Sequence, residues 1–161
     1  MASGDTLVTL FPSDNEPPSS NYATVDLRNG RLVLDFDAGT EETAHFAGYL
    51  PRNYAGGGLT ITVKWMASSA TTGDVVWGGA IEAEGTDTDA DSYATEQTAT
   101  TTTSGTSGIE VDTALTFTSG ANMDSLAAGK RFRFKLARKA ADGSDSMTGD
   151  AELTCIEIKE T

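Results

Sequence analysis

One cysteine, one histidine and no long apolar run set the first limits on this 161-residue chain. Cys155 has no second cysteine to pair with, which excludes an intramolecular disulfide. In the alternating run ELTCIEI it reads as a small buried thiol. Zinc needs several Cys or His ligands, and Cys155 and His45 are the only two present. The same scarcity argues against a nucleophilic triad, and no G-x-S-x-G occurs. Phosphate-cradling loops need G-x-x-x-x-G-K-[ST], or G-x-G-x-x-G ahead of a helix; YAGGGLTI leads into a strand and lacks the lysine. No stretch approaches the ~20 apolar residues of a membrane helix. MASGDTLVTLF has neither the basic start nor the apolar block of a signal peptide, so the expectation is a soluble chain made in a cytoplasm.

Positive charge is also scarce. Eleven Lys and Arg face 24 Asp and Glu, giving a net charge of −13 and a pI near 4.2. That balance disfavours nucleic acid or an anionic membrane as the main partner, because like charges repel over about a Debye length, ~10 Å. Aromatics at 7% allow a core without making it generous, and 17 glycines among many Thr, Ala, Val and Ser residues suit short strands and turns.

What the chain does have is alternation. TLVTLF (6–11) stops at Pro12, and PSDNEPPSSN (12–21) follows with three of the four prolines, so residues 1–21 read as a strand plus an extended arm. Residues 22–161 read as one domain. YATVDLR and RLVLDFD flank Asn29-Gly30, the strongest short-range hairpin signal there is, with Leu32, Leu34 and Phe36 on one side. ETAHFAGYLP (42–51), LTITVKWMASS (59–69), VVWGGAIEAE (75–84), IEVDTALTFTS (109–119) and AELTCIEIKE (151–160) all repeat with period two. Gly78-Gly79 marks a bulge or a close approach. The Thr run within 85–107 allows an exposed strand but does not require one. Eight or nine strands and no long amphipathic helix predict an all-β, single-domain antiparallel sandwich, with an eight-stranded jelly roll the favoured form.

Six of the eleven cations fall in GKRFRFKLARK, residues 129–139. On a strand, Phe132, Phe134 and Leu136 turn inward while Arg131, Arg133 and Lys135 share the outer face. Two readings stay open: a solvated face matched to acidic neighbouring strands, or a contact surface for an acidic partner such as a second copy. Asp87, Asp89 and Asp91 imitate the start of a calcium loop, but Ser92 and Thr98 stand where a Gly and a carboxylate belong. A solvated acidic loop is the preferred reading. Trp65 and Trp77 fall at core positions, which leaves Tyr54 and Tyr93 as the loop aromatics available to a glycan. No catalytic residue, cofactor or metal site is assigned.

In FPSDNEPPSSNYATVDLRNGRLVLDFD, LPRNYAGGGLTITVKWMASSATTGDVVW and SGANMDSLAAGKRFRFKLARKA the chain resembles small proteins encoded among tailed-phage and prophage structural genes. The resemblance covers most of the chain and carries no catalytic motif. It implies a non-enzymatic virion component, foremost a jelly-roll head decoration (cement) protein. Such a protein would sit on the capsid surface as a homotrimer bound to the major capsid protein, after synthesis in the host cytoplasm. Under that implication Arg131, Arg133 and Lys135 would meet acidic residues of the next copy, and Pro17 and Pro18 would stiffen a reaching arm. The long Thr- and Asp-rich middle departs from a compact cement pattern. It leaves room for the alternative, a tail- or fibre-associated module binding a host receptor or glycan.

Overall fold

The computed structural model describes residues 4–161, so the first three residues of the expected N-terminal unit lie outside it. Ten strands form: β1 (Thr6–Leu10), β2 (Thr24–Arg28), β3 (Arg31–Phe36), β4 (Glu42–Tyr49), β5 (Leu59–Ala67), β6 (Asp74–Ala83), β7 (Gln97–Thr102), β8 (Val111–Phe117), β9 (Arg131–Arg138) and β10 (Ala151–Glu160). Two single 3₁₀ turns, Pro12–Asp14 and Ala121–Met123, are the only helical elements among the described residues. Every strand pairing is antiparallel.

The larger sheet runs β2-β3-β10-β5-β8, with β1 also on β10; the smaller runs β4-β9-β6-β7. From β3 onward the chain crosses between sheets as a jelly roll does, β3-β10-β5-β8 lying over β4-β9-β6-β7. The expected architecture is therefore the observed one, with ten strands in place of eight or nine. The Thr run is ordered as β7, and β1 and β2 add to the eight of the roll.

Alternation decides which side chains enter the core. Leu59, Ile61, Val63 and Trp65 of β5 face Phe132, Phe134 and Leu136 of β9 across the sandwich, all of them buried. Trp77 lies 6.0 Å from Trp65 and edge-on to Phe36 at 4.9 Å, the T-shaped geometry that adds about 0.5–1.5 kcal/mol per pair. The Trp65 indole N–H donates to the Thr113 hydroxyl at 2.9 Å, which donates onward to Thr101 at 2.8 Å. This polar relay ties β7 to the larger sheet and orders a run that has little apolar content.

Strand β10 pairs with β5 along its whole length on one side; on the other it meets β3 first and β1 later. Its register shifts between Leu153 and Cys155, where one partner gives way to the other. The bulge resets the parity, so Leu153 and Ile156 both point inward. At Gly78-Gly79 the ladder to both neighbours is continuous, which makes this a close approach and not a bulge. A Cβ on Gly79 would lie 2.8 Å from the Phe134 ring and 2.7 Å from Leu115.

Candidate functional site

The Asn29-Gly30 turn has both residues at positive φ, +49° and +75°, the geometry that joins two twisted strands directly. It sets Arg28 directly opposite Arg31 on the outer face of the larger sheet. Beside them opens a groove of about 1020 Å³, lined by Phe11, Arg28, Arg31, Met66, Glu110 and Cys155 among others. Arg28 is held firmly. Its Nη1 donates to Glu152 Oε2 at 2.7 Å and to the carbonyls of Ser68 and Ala67 at 2.9 and 3.2 Å. Gly108 lies so close that a Cβ there would stand 2.7 Å from the guanidinium. Arg31 is exposed, and its guanidinium makes no hydrogen bond or ion pair among the described residues. The Thr154 hydroxyl sits between the Glu110 carboxylate at 2.5 Å and the Lys64 carbonyl at 3.0 Å. Cys155 is half-buried and its thiol is pushed up by burial and then by Glu110, so it carries no thiolate nucleophile at neutral pH.

On the same outer face Asp26, Asp35 and Glu152 bring carboxylate oxygens within 4.8 Å of one another. Burial, then the charges of Glu152 and Asp26, push Asp35 up to about 6. One oxygen of Asp35 is buried without a hydrogen-bond partner. Because its folded-state value lies above the ordinary 3.8, the folded protein holds this proton more tightly than the unfolded chain. The associated stability is present below about pH 4 and is lost as pH rises through about 6. Asp35→Asn is therefore expected to raise the melting temperature at pH 7.5 and to leave it unchanged near pH 4. A thermal scan across that range checks it; an equal shift at both ends would place the effect elsewhere.

The basic strand is already matched from within the chain. Arg131 pairs with Glu84 at 3.0 Å, and Arg133 lies 3.8 and 3.9 Å from Glu16 and Glu82. Lys135 stands over the Tyr93 ring at 5.3 Å, and Arg133 approaches the same ring at 5.9 Å. Tyr93 sits in the segment between β6 and β7 that folds back over this face; its hydroxyl is buried and pushed up to about 12, chiefly by that burial. His45 contacts Arg133 at 3.2 Å, and burial with the two cations lowers its value. Arg131, Arg133 and Lys135 are thus brought together as the sequence predicts, among acidic and aromatic neighbours of their own chain.

Pro17 and Pro18 lie on a segment that follows the edge of β4. Glu16 N–H donates to the His45 carbonyl at 2.7 Å, His45 N–H to Asn15 Oδ1 at 3.1 Å, and Ala23 and Thr43 are bonded farther along. Strand β1 is likewise paired into the larger sheet. The N-terminal residues described here are built into the sandwich.

Two expected aromatic contacts change place. Tyr54 is buried at 6% exposure, its hydroxyl donating to the Gly57 carbonyl, and Tyr93 is covered as described. Phe11, Tyr22 and Tyr49 are the exposed rings. Asp87 accepts from Asp89 N–H at 3.2 Å, and both oxygens of Asp91 accept from Gly85 N–H at 3.1 Å, so these carboxylates close their own loop. The groove itself was not read from the sequence. Its one visible signal was an arginine on each side of the Asn-Gly turn.

No protein-family model and no curated protein sequence matches this chain. Solved structures resemble it in fold. The CBM22-1–GH10 modules of xylanase 10B from Clostridium thermocellum, complexed with xylohexaose, align at a TM-score of 0.54 and 12% identity. That alignment covers 98% of this chain and 29% of the other, so the present chain spans under a third of that protein's length. A carbohydrate-binding module of Cellvibrio mixtus lichenase 5A, in complex with cellotriose, aligns at 0.46 and 14% identity, covering 98% and 99% of the two chains. At such identities the first likeness establishes fold and nothing finer: the chain is a two-sheet antiparallel β-sandwich.

Proposed function

We propose that this chain is a non-catalytic recognition module, a tail- or fibre-associated jelly roll of a phage virion whose groove beside the β2–β3 hairpin binds a host-surface glycan or receptor. The observation that carries this reading is the composition of the groove. Apolar surface from Phe11 and Leu32 lies next to hydrogen-bonding groups from Arg31, Thr154 and Glu110, a pairing that suits a ring with apolar faces and hydroxylated edges. Glu110 is its one lining carboxylate, whereas glycoside hydrolysis ordinarily uses two flanking the bond. The shared fold with a structure described as complexed with xylohexaose is compatible with the reading and carries no further weight.

A second reading is the head decoration protein, a homotrimer on the major capsid protein. One observation favours it. Val25, Leu27 and Leu32 share a face with the core residues Leu34 and Phe36 yet stand 62%, 63% and 37% exposed, an uncovered apolar strip suited to a protein partner.

Glycan-array binding by the whole chain, beside Phe11→Ala, separates the two. Phe11 is half exposed, so its loss leaves the fold intact. The recognition reading predicts saturable glycan binding that falls about tenfold in the variant, the 1–3 kcal/mol scale of one ring contact. No glycan bound, together with saturable binding to assembled heads but not to free head subunits, replaces it with the decoration reading.

A further inference from the structure

Resting on the recognition reading and deepening it, we infer that the groove takes a carboxylate-bearing saccharide, with the acid group of the sugar held by Arg31 beside the fixed Arg28. Three observations converge on this. First, the chain carries −13, yet the charged side chains lining the groove are Arg28, Arg31 and Glu110. Arg28 is already neutralised by Glu152, so Arg31 is the lining cation left to meet an anion.

Second, Arg28 and Arg31 are a directly opposed pair on one face of a hairpin, where like charges repel and destabilise. Glu152 and two carbonyls relieve Arg28 of its share. Nothing among the described residues does the same for Arg31, although the sequence has 24 acids to draw on. An outside carboxylate would complete the arrangement, and the planar guanidinium binds that group through two parallel N–H donors.

Third, the rest of the groove fits the sugar that would carry the acid. Phe11 offers a ring at the rim, the exposed Leu32 an apolar contact, and Glu110 and Thr154 partners for hydroxyls. The Cys155 thiol adds no competing negative charge.

The test is calorimetric titration of the whole chain with three probes: an oligogalacturonate, the same oligosaccharide with its carboxyls reduced to alcohols, and a neutral xylo-oligosaccharide. Sulfated oligosaccharide and inorganic phosphate serve as further anions. The acid form is expected to bind at least tenfold more tightly than its reduced counterpart. Arg31→Gln should remove that difference, and Arg31→Lys should recover only part of it because a lysine lacks the fork. Lys130→Gln, which deletes the same charge from an exposed site outside the groove, should leave it untouched. Both positions are exposed, so unchanged melting temperatures confirm that folding is not what is measured.

Equal binding of the acid and reduced forms overturns the inference and leaves the recognition reading standing. Preference for the sulfated sugar or phosphate over the carboxylate overturns it too, in favour of another anion. If no saccharide binds, the inference falls, and the glycan form of the recognition reading falls with it.

Discussion

Asp145→Ala is expected to cost about 3–5 kcal/mol and to lower the melting temperature by roughly 10 °C or more, the largest single loss in the molecule. The cause is Arg138. It continues the inward series of Phe132, Phe134 and Leu136 and ends fully buried, with no exposed surface. Asp145 grips it twice, at 3.1 Å to Nε and 2.8 Å to Nη2, while the carbonyls of Phe36, Met147 and Gly149 accept its remaining donors at 2.7 to 3.2 Å. Asp145 also accepts from Val76 N–H at 3.1 Å, which ties the segment between β9 and β10 to β6. Removing the acid leaves a guanidinium stranded in the interior. Arg138→Met should cost clearly less, because an apolar chain of similar length abandons the charge together with its need for a partner. Chemical denaturation of both variants checks the order, and an Asp145→Ala protein as stable as the parent would refute it.

Phe134→Ala should come next, at about 3–5 kcal/mol for an aromatic removed from a close-packed centre. The ring stands edge-on to Phe117 at 6.4 Å and presses on the bare backbone of Gly79. Gly79→Ala alone is expected to cost about 1–3 kcal/mol, since its methyl has no room. In the Phe134→Ala background the methyl loses its clash with the ring and keeps the one with Leu115 at 2.7 Å, so its cost should shrink without vanishing. Equilibrium unfolding of the four proteins in this cycle measures the coupling. Simple additivity would mean that the two positions do not compete for one volume.

The fold was legible wherever alternation coincided with turn chemistry. Asn29-Gly30 predicted its hairpin, and the period-two runs predicted which faces of β5 and β9 are buried. Less local features were harder to read. Arg138 obeys the parity of its strand, but an arginine ending a basic run reads as solvent-facing until Asp145 and three carbonyls are known to surround it. Ile109 fits the inward set of β8 and stands exposed because it precedes the strand. Tyr54 looks like a loop aromatic free for a ligand, and a backbone carbonyl three residues away decides otherwise. The groove was invisible for the same reason. Its residues come from separate segments that only the crossing of the chain brings side by side, and spacing in sequence does not encode that meeting.

Strand β10 holds the middle of the larger sheet and follows the other nine described strands in sequence, flanked by β1 and β3 on one side and β5 on the other. During synthesis its neighbours emerge well before it, and they cannot join into one layer until it arrives. The nascent polypeptide must wait with complementary edges open, a state in which strands pair with the wrong neighbour or with another ribosome's product. Acidity then has a use unconnected with any ligand. Mutual repulsion among highly anionic, half-finished copies keeps them apart until β10 locks the layers together.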